Sequence, residues 1–277
     1  MEKGTIVEKF VSKAEPRKGT EVGHIYLPKE LLLKRLRGLC KLLEHEHSMK
    51  MFSVVTETWN PVTGCLHHCR YCWARRLAET KLKNSKRYSN GFVPRLNREE
   101  FGKKFNGGVV FVSDMGDLFG EFIPDEWIES ILEHIKKFPN TLFLFLTKNP
   151  SRYHDFDFPE NAILGATIET DDDAVYAGVS EAPKPSERIK AMIELDWDAK
   201  FISVEPILSF SPKFWERIEK INPLIVYIGY DNYGYNLPEP TLDKTLSLIK
   251  KLRDEGFLVL KKTIRRAWYE WYEEWRV

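Results

Sequence analysis

Short apolar runs recur along the chain, and most of them are separated by stretches with the spacing of amphipathic helices. The runs are rich in Val, Ile and Phe, and they read MFSVVTE (51–57), GVVFVSD (108–114), TLFLFLTK (141–148), AILGATIE (162–169), KFISVEP (200–206), LIVYIGYD (224–231) and FLVLKK (257–262). Continuous apolar runs are typical of strands covered on both faces, and strands that alternate with helices form parallel sheets. The pattern predicts an α/β fold: a partial (β/α) TIM-type barrel with parallel strands, an N-terminal strand-helix extension and a C-terminal helix.

Four intervening stretches predict amphipathic helices. They are IPDEWIESILEHIKKF (123–138), SERIKAMIEL (186–195), SPKFWERIEKI (211–221) and TLDKTLSLIKKLRDEG (241–256). The first has Pro124 in its first turn, and the last ends at Gly256, a good C-terminal stop. In the first helix the predicted apolar stripe is formed by Ile128, Ile131, Leu132 and Ile135. In the last helix it is formed by Leu242, Leu246, Ile249 and Leu252.

Length and composition indicate one enzyme-sized barrel. A chain of 277 residues with 43% hydrophobic residues can bury a sizeable core. We predict an extension at 1–50, a barrel at 51–262 and a helical tail at 263–277. No run approaches the ~18 apolar residues of a membrane span, and the opening MEKGTIVEKF carries charges, so a cytoplasmic protein without a membrane partner is expected. The net charge of +1 does not by itself indicate a nucleic-acid partner.

Most predicted strands finish in a polar or ionisable residue. These residues are Glu57, Asp114, Lys148, Glu169, Glu205, Asp231 and Lys262. In a parallel barrel the carboxyl ends of the strands share the face that carries the active site, so we expect a common polar mouth there. The alternative is that each of these residues simply meets solvent at the end of its strand.

Three of the four cysteines lie close together, in the segment TWNPVTGCLHHCRYCWARR (58–76). Cys65, Cys69 and Cys72 follow the first predicted strand and precede a helix-like stretch, whereas Cys40 has the surroundings of a buried helix residue. Such a cluster indicates a metal site or catalysis rather than a disulfide framework. An iron–sulfur cube normally takes four cysteines, so three leave one iron open for a cofactor.

A structural zinc site is the competing interpretation. His67 or His68 would complete a Cys3His set, and the protein would be a non-catalytic, zinc-stabilised nucleic-acid-binding or adaptor protein. Such sites usually draw their ligands as two pairs from separate hairpins or knuckles, whereas all of these residues fall within 65–72. We therefore interpret the two histidines as loop residues near a cluster.

The C-x3-C-x2-C spacing, with an aromatic residue before the last cysteine on the first β-α loop of a barrel, resembles the signature of radical S-adenosylmethionine enzymes. In that superfamily three cysteines hold a [4Fe-4S] cluster, and S-adenosylmethionine chelates the fourth iron. Reduction splits this cofactor into methionine and a 5′-deoxyadenosyl radical. The resemblance implies that Cys65, Cys69 and Cys72 bind iron, that [4Fe-4S] and S-adenosyl-L-methionine are the cofactors, and that an external donor such as a ferredoxin or flavodoxin supplies electrons.

Further segments narrow the resemblance. ETWNPVTGC, FVSDMGDLFGEFIPDEWI, FLFLTKNPSRY, LGATIET and FISVEPIL resemble, in order, the phage Gp37/Gp68-like family, also called DUF5131, over roughly residues 55–262. Two features depart from that family. It tends to space the first two cysteines more widely, and a Gly-Gly-Glu-type end is expected on the sixth strand, where this chain has IGYDNYG.

The resemblance also implies residues for the adenine and the amino group of the cofactor. Tyr71 stands where the superfamily tends to place an aromatic near the adenine, although it can equally be a packing residue. Asp114 and Asp117 follow the second strand, where the cofactor's amino group is usually recognised, and carboxylates accept hydrogen bonds from an ammonium. Helix-capping or loop aspartates are the alternative.

The later strand ends are implied in binding the rest of the cofactor. Thr167, Glu169, Ser203 and Glu205 stand where the superfamily contacts the ribose hydroxyls and the carboxylate. Lys148 offers a cation to that carboxylate or to the substrate.

The substrate is less defined. The insertion 81–105 is basic with interleaved aromatic residues, and the tail IRRAWYEWYEEWRV mixes arginines with tryptophans and tyrosines. Such mixtures can bind phosphates and stack on bases, which makes nucleic acid one candidate substrate. They are also typical of a solvated loop and an amphipathic terminal helix, in which Glu270, Glu273 and Glu274 would repel phosphates.

Overall fold

Seven parallel strands form a curled half-barrel in this computed structural model, as the sequence predicts. In chain order the strands are β1 (Glu57–Trp59), β2 (Val62–Thr63), β3 (Arg95–Leu96), β4 (Val109–Val112), β5 (Leu142–Thr147), β6 (Ala162–Thr167), β7 (Lys200–Val204), β8 (Ile225–Ile228) and β9 (Val259–Lys261). The sheet order is β1-β4-β5-β6-β7-β8-β9, and β2 and β3 pair antiparallel outside it. Because all neighbouring strands of this sheet are parallel, their carboxyl ends lie at the same end of the half-barrel.

The structure describes residues 52–273, together with the isolated positions Lys34 and Gly38. The predicted N-terminal extension, the proposed boundary at residue 50 and the interpretation of Cys40 lie outside the described residues. The proposed division of the chain into three parts therefore stays a prediction.

Seven helices lie within residues 52–273, and the four longest pack on one face of the sheet. The helices are α1 (Trp73–Glu79), α2 (Asp125–Ile135), α3 (Asp173–Tyr176), α4 (Pro185–Glu194), α5 (Phe214–Ile221), α6 (Leu242–Asp254) and α7 (Glu270–Glu273), with 3-10 turns at Arg98–Gly102 and Pro150–Asp155. The predicted stripe of α2 is confirmed, since its three isoleucines and one leucine are all buried in the core between helices and sheet. Within the described residues, no helix has both the length and the apolar composition needed to cross a membrane.

The apolar face of α6 differs from the predicted one. Leu246 is exposed and Leu242 only half-buried, while Thr245 and Leu248 turn inward beside the predicted Ile249 and Leu252. The Thr245 hydroxyl lies 2.6 Å from the hydroxyl of Tyr230, so a polar side chain is satisfied in the core.

The first predicted strand is misplaced. Residues 52–54 form a bend and a turn, residues 55 and 56 are irregular, and the strand begins only at Glu57. Phe52 packs on the face of the sheet that the helices leave open, with its ring centroid 5.1 Å from that of Phe201 and 4.8 Å from that of Tyr227. The run is apolar because it fills this face, and Glu57 consequently starts β1 instead of ending it.

Gly165 offers a test of packing in the sheet. A Cβ atom at this position in β6 would lie 2.1 Å from Cδ1 of the fully buried Phe201. We expect Gly165→Ala to lower the free energy of unfolding by about 1–3 kcal/mol in urea denaturation, because the ring must shift. The control Gly102→Ala adds a methyl group where no atom lies within 4 Å. Equal stability of the two variants would contradict this packing.

Candidate active site

The loop that joins β1 to α1 carries the three cysteines and is fixed by its backbone. Gly64 adopts a φ of +89°, and a Cβ atom there would lie 2.1 Å from the carbonyl oxygen of Val93. The next residue, Cys65, donates its N–H to the carbonyl of Phe92 at 3.0 Å. Only glycine fits this approach, and the pairing of β2 with β3 holds the same segments together.

Each cysteine sulfur is half-buried and has a hydrogen-bonding partner. The N–H of His67 lies 3.4 Å from Cys65 Sγ, and the N–H of Arg75 lies 3.3 Å from Cys72 Sγ, the N-cap of α1. Cys69 Sγ lies 3.1 Å from the hydroxyl of Ser180. Such contacts orient metal-binding sulfurs and tune the potential of a bound cluster.

Burial makes two of these thiols weak acids. Burial raises the pKa of Cys65 well above its ordinary value, and the nearby Asp117 and the other two thiols add to the effect. Burial also raises the pKa of Cys69, against the opposing charge of Lys148. Because only thiolates bind metal, loading the site would release protons.

The two histidines of the loop have partners other than a metal. His67 is buried, and its Nε2 lies 3.0 Å from Asp117 Oδ2. His68 is exposed, and its Nε2 lies 4.0 Å from Glu181. Over the described part of the chain, no three His, Cys, Asp or Glu side chains converge on a point that could hold one metal ion. In this structure the imidazoles of both histidines therefore face carboxylates.

Asp117 ties the cysteine loop to the neighbouring strands. Besides His67, its carboxylate accepts the hydroxyl of Thr147 at 2.6 Å, the N–H of Lys148 at 2.8 Å and the N–H of Phe119 at 3.2 Å. Burial alone would raise the pKa of Asp117, but the hydrogen bonds and charge of these partners lower it. Each carboxylate oxygen already accepts two hydrogen bonds, so the structure gives Asp117 a positioning role.

Asp114 remains the carboxylate of this loop that can bind an ammonium group. Its Oδ1 accepts the side-chain N–H of Asn60 at 2.5 Å, and burial raises its pKa. The carbonyl oxygen of the same amide accepts the N–H of Met115 at 3.1 Å, which fixes the loop after β4 against β1.

Glu169 is fully buried and is the centre of a largely buried charged group, here called the Glu169 cluster. Its members are Glu169, Tyr71, Lys148, Tyr176 and Arg188. The carboxylate accepts hydrogen bonds from the hydroxyl of Tyr71 and from Arg188 Nη1, the latter at 2.7 Å. It also forms an ion pair with Lys148, whose Nζ lies 3.6 Å from Oε1. Lys148 Nζ also lies 5.4 Å from the centre of the Tyr71 ring. The guanidinium carbon of Arg188 lies 4.4 Å from the centre of the Tyr176 ring.

The Glu169 cluster contains two cations for one carboxylate. Burial would raise the pKa of Glu169, but Arg188 and Lys148 lower it. The same attraction outweighs burial and raises the pKa of Lys148. In addition, Nε and Nη2 of Arg188 and the hydroxyl of Tyr176 are buried without a hydrogen-bond partner among the described residues. An uncompensated positive charge with unpaired donors fits an additional anionic group.

Arg188 and Tyr176 are the members that the sequence interpretation missed. Arg188 lies on the buried face of α4 with Ile189 and Met192. An arginine on the apolar stripe of a predicted helix was therefore the sequence feature that could have indicated a buried cation. Tyr176, in the short α3, offered no comparable pattern.

The other predicted strand-end residues meet at the same mouth. Thr167 and Ser203 are buried partners in the β6–β7 register. Glu205 binds Lys262, and burial raises the pKa of Glu205 against the opposing charge of that lysine. Asp231 also influences Glu205 electrostatically, so the two lie near each other.

The aromatic residues predicted to stack on nucleic acid are largely occupied elsewhere. Tyr88, Phe92 and Phe105 of the insertion are buried in the core. In the tail, Trp268 Nε1 donates to Leu237 O at 2.8 Å. The aromatic rings of the insertion therefore pack against the protein, whereas Trp271 of the tail is exposed beside Arg266.

The half-barrel defines the fold class of the protein. Solved structures of spore photoproduct lyase share the fold: a cysteine-to-serine mutant has a TM-score of 0.54 at 11% identity and covers 89% of this chain and 87% of that chain. A tyrosine-to-phenylalanine mutant of the same enzyme has a TM-score of 0.52 at 12% identity and covers 92% of this chain and 89% of that chain. A double mutant with bound AdoMet and dinucleoside spore photoproduct has a TM-score of 0.50 at 13% identity and covers 87% of this chain and 72% of that chain. The shared fold is the partial barrel of radical S-adenosylmethionine enzymes.

The family follows from the sequence itself. A family model described as protein of unknown function (DUF5131) matches residues 51–226, more than half of the chain. This chain therefore belongs to the DUF5131 family, and the predicted resemblance to it is confirmed. No curated protein matches the sequence.

Asp117 allows a test of how the loop is fixed. We expect Asp117→Asn to lower the free energy of unfolding at pH 7 by about 2–4 kcal/mol, because buried donors lose their charged acceptor. Since the folded-state pKa of Asp117 lies below its ordinary value, the stabilisation is present above about pH 4 and disappears as the pH falls through the folded-state pKa. Urea denaturation from neutral to acidic pH measures the difference between the two proteins.

Asp155→Asn is the matched control, because Asp155 is exposed. It should change stability by less than about 0.5 kcal/mol. A stability difference between wild type and Asp117→Asn that stays constant down to acidic pH would refute the charged role of Asp117.

Proposed function

We propose that this protein is a radical S-adenosylmethionine enzyme in which Cys65, Cys69 and Cys72 hold a [4Fe-4S] cluster. The observation that carries the proposal is the position of three half-buried thiols in one loop, at the carboxyl end of the first strand of a parallel half-barrel. That edge is where enzymes built on such barrels carry their active sites.

The donor set fits the cluster. Three cysteine sulfurs can bind three irons and leave the fourth for a cofactor, and each sulfur has a hydrogen-bonding partner in this loop. The nearby Glu169 cluster adds uncompensated positive charge, which favours an anionic cofactor group. When bound and reduced, the [4Fe-4S] cluster supplies the electron that splits S-adenosylmethionine into methionine and a 5′-deoxyadenosyl radical.

The charged residues of the mouth would bind the amino-acid part of S-adenosylmethionine. Lys148 offers its ammonium group to the carboxylate, because its ion pair with Glu169, at 3.6 Å, leaves its N–H groups free to donate. Asp114 accepts a hydrogen bond from the amino group. Asp117 keeps these two residues in place through the N–H of Lys148 and its own loop.

The remaining predicted residues would bind the nucleoside part. Thr167 and Ser203 lie side by side at the ends of β6 and β7, where their hydroxyls can contact the ribose. Glu205 can accept from a ribose hydroxyl beside Lys262. Tyr71 belongs to the cysteine loop, and its ring packs near Cys69 and Lys148, which suits contact with the adenine.

The reaction also needs an electron from outside the protein. An external ferredoxin or flavodoxin would supply it, and a reducing cytoplasm would keep the thiols available for metal. The substrate takes its place above the mouth, where the radical is produced.

The decisive assay is turnover of the cofactor. Anaerobically purified protein is reconstituted with iron and sulfide, reduced with dithionite and incubated with S-adenosylmethionine. We expect about four irons per chain and formation of 5′-deoxyadenosine, detected by liquid chromatography. Cys69→Ala should lose the product, because one iron loses its ligand.

Cys40→Ala is the matched control, since Cys40 is the one cysteine outside the loop. It should retain both iron and product. A wild-type protein that binds one zinc, takes up no iron and forms no 5′-deoxyadenosine would overturn the proposal in favour of a zinc-stabilised binding protein.

A further inference from the structure

Positive charge is concentrated directly after the cysteines. Residues 70–86, here called the basic rim, contain six arginines and lysines and one acidic residue, Glu79, although the whole chain has a net charge of only +1. Five of the six basic side chains are exposed: Arg70, Arg76, Lys81, Lys83 and Lys86. The three lysines form no salt bridge within residues 52–273. A local field of this kind attracts a polyanion.

An exposed aromatic ring lies beside the basic rim. Tyr233 is 50% exposed, and the guanidinium carbon of Arg76 lies 5.6 Å from the centre of its ring. Arg76 belongs to α1, which follows the first strand of the sheet, whereas Tyr233 follows β8, the sixth. The pair therefore joins two loops of the mouth and combines a flat stacking surface with a cation.

The loop that carries Tyr233 is held rigidly. The buried carboxylate of Asp231 accepts the N–H of Tyr233 at 3.0 Å and the N–H of Tyr235 at 2.6 Å. Arg265 donates to the carbonyl of Asp231 at 2.8 Å. Tyr235 packs against the buried group that includes Tyr71, next to Cys69. A ring presented in a fixed position loses little conformational entropy on binding.

We propose that the basic rim and Tyr233 bind a single-stranded polynucleotide. The Tyr233 ring stacks on a base, and Arg76, Lys81, Lys83 and Lys86 contact phosphates. This combination of a positive track and an aromatic platform is the way proteins bind single strands, whose bases expose both faces. The proposal rests on the proposed function in one respect: a nucleotide held beside the cysteine loop is the substrate of the radical.

Fluorescence anisotropy tests the binding. Full-length protein is titrated without S-adenosylmethionine onto labelled single strands of about 12 nucleotides, as DNA and as RNA, and onto the matching duplex. We expect the single strands to bind more tightly than the duplex, and the DNA and RNA arms identify the polymer. Tyr233→Ala should weaken single-strand binding about tenfold or more. Replacing Lys81, Lys83 and Lys86 by Gln should reduce the slope of log affinity against log salt by about 2.

Matched controls lie elsewhere on the protein. Trp271 is 53% exposed and also lies beside an arginine, Arg266, whose guanidinium carbon is 5.4 Å from its ring centre. Trp271→Ala should leave the affinity unchanged. Gln substitutions at Lys136, Lys190 and Lys250, on three other helices, remove the same charge and should leave the salt slope nearly unchanged. Thermal melting confirms that each variant is folded.

Several outcomes would overturn the inference: no binding at low salt, equal affinity for duplex and single strand, no effect of Tyr233→Ala, or equal effects of the two lysine triples. Because the titration uses neither S-adenosylmethionine nor its cleavage, it is independent of the turnover assay. A protein that forms 5′-deoxyadenosine but binds no oligonucleotide overturns this inference alone. A protein that binds the single strand but never cleaves the cofactor retains the binding surface and loses the proposed function.

Discussion

The geometry of the mouth depends on the hydrogen bonds that the buried carboxylate of Asp117 accepts. Through His67 it holds the cysteine loop, through Thr147 and the N–H of Lys148 it holds the end of β5, and through the N–H of Phe119 it holds its own loop after β4. A buried charge is tolerated only when it is paired and hydrogen-bonded, and here four donors meet that condition. Asp117 therefore links the cysteine loop to the strand end that carries Lys148.

In the Glu169 cluster, unlike at Asp117, the charges and hydrogen bonds are not balanced. Asp117 is saturated by its partners, whereas Glu169 faces two cations, and Arg188 and Tyr176 keep buried polar atoms without a partner among the described residues. Protein interiors normally pair such atoms, so this region has the electrostatic character of a site for an anionic group. Residues 70–86 are also rich in positive charge, although the chain as a whole is almost neutral. The charge of the mouth is thus set locally and not by overall composition.

Much of the fold was predictable because burial in regular elements follows a short period. Six of the seven apolar runs contain strands of the sheet, and the stripe of α2 is buried as its spacing predicts. The exceptions show the limit of such patterns. The run beginning at Phe52 is apolar because it packs under the strands, and an apolar run indicates burial without specifying conformation. Leu246 is exposed because the neighbours of α6, including Tyr230, accommodate Thr245 in the core instead.

The sequence by itself determined the features that adjacent residues carry together: the alternation of strands and helices, the cysteine spacing, and the polar residues at most strand ends. Only the tertiary structure decided that Asp117 supports the loop, that Arg188 joins Glu169, and that Arg76 meets Tyr233. It also decided that the aromatic residues of the insertion are buried. The physical reason is that these contacts join residues far apart along the chain. A local periodicity or motif does not indicate which distant side chain fills the space, or balances the charge, beside a given residue.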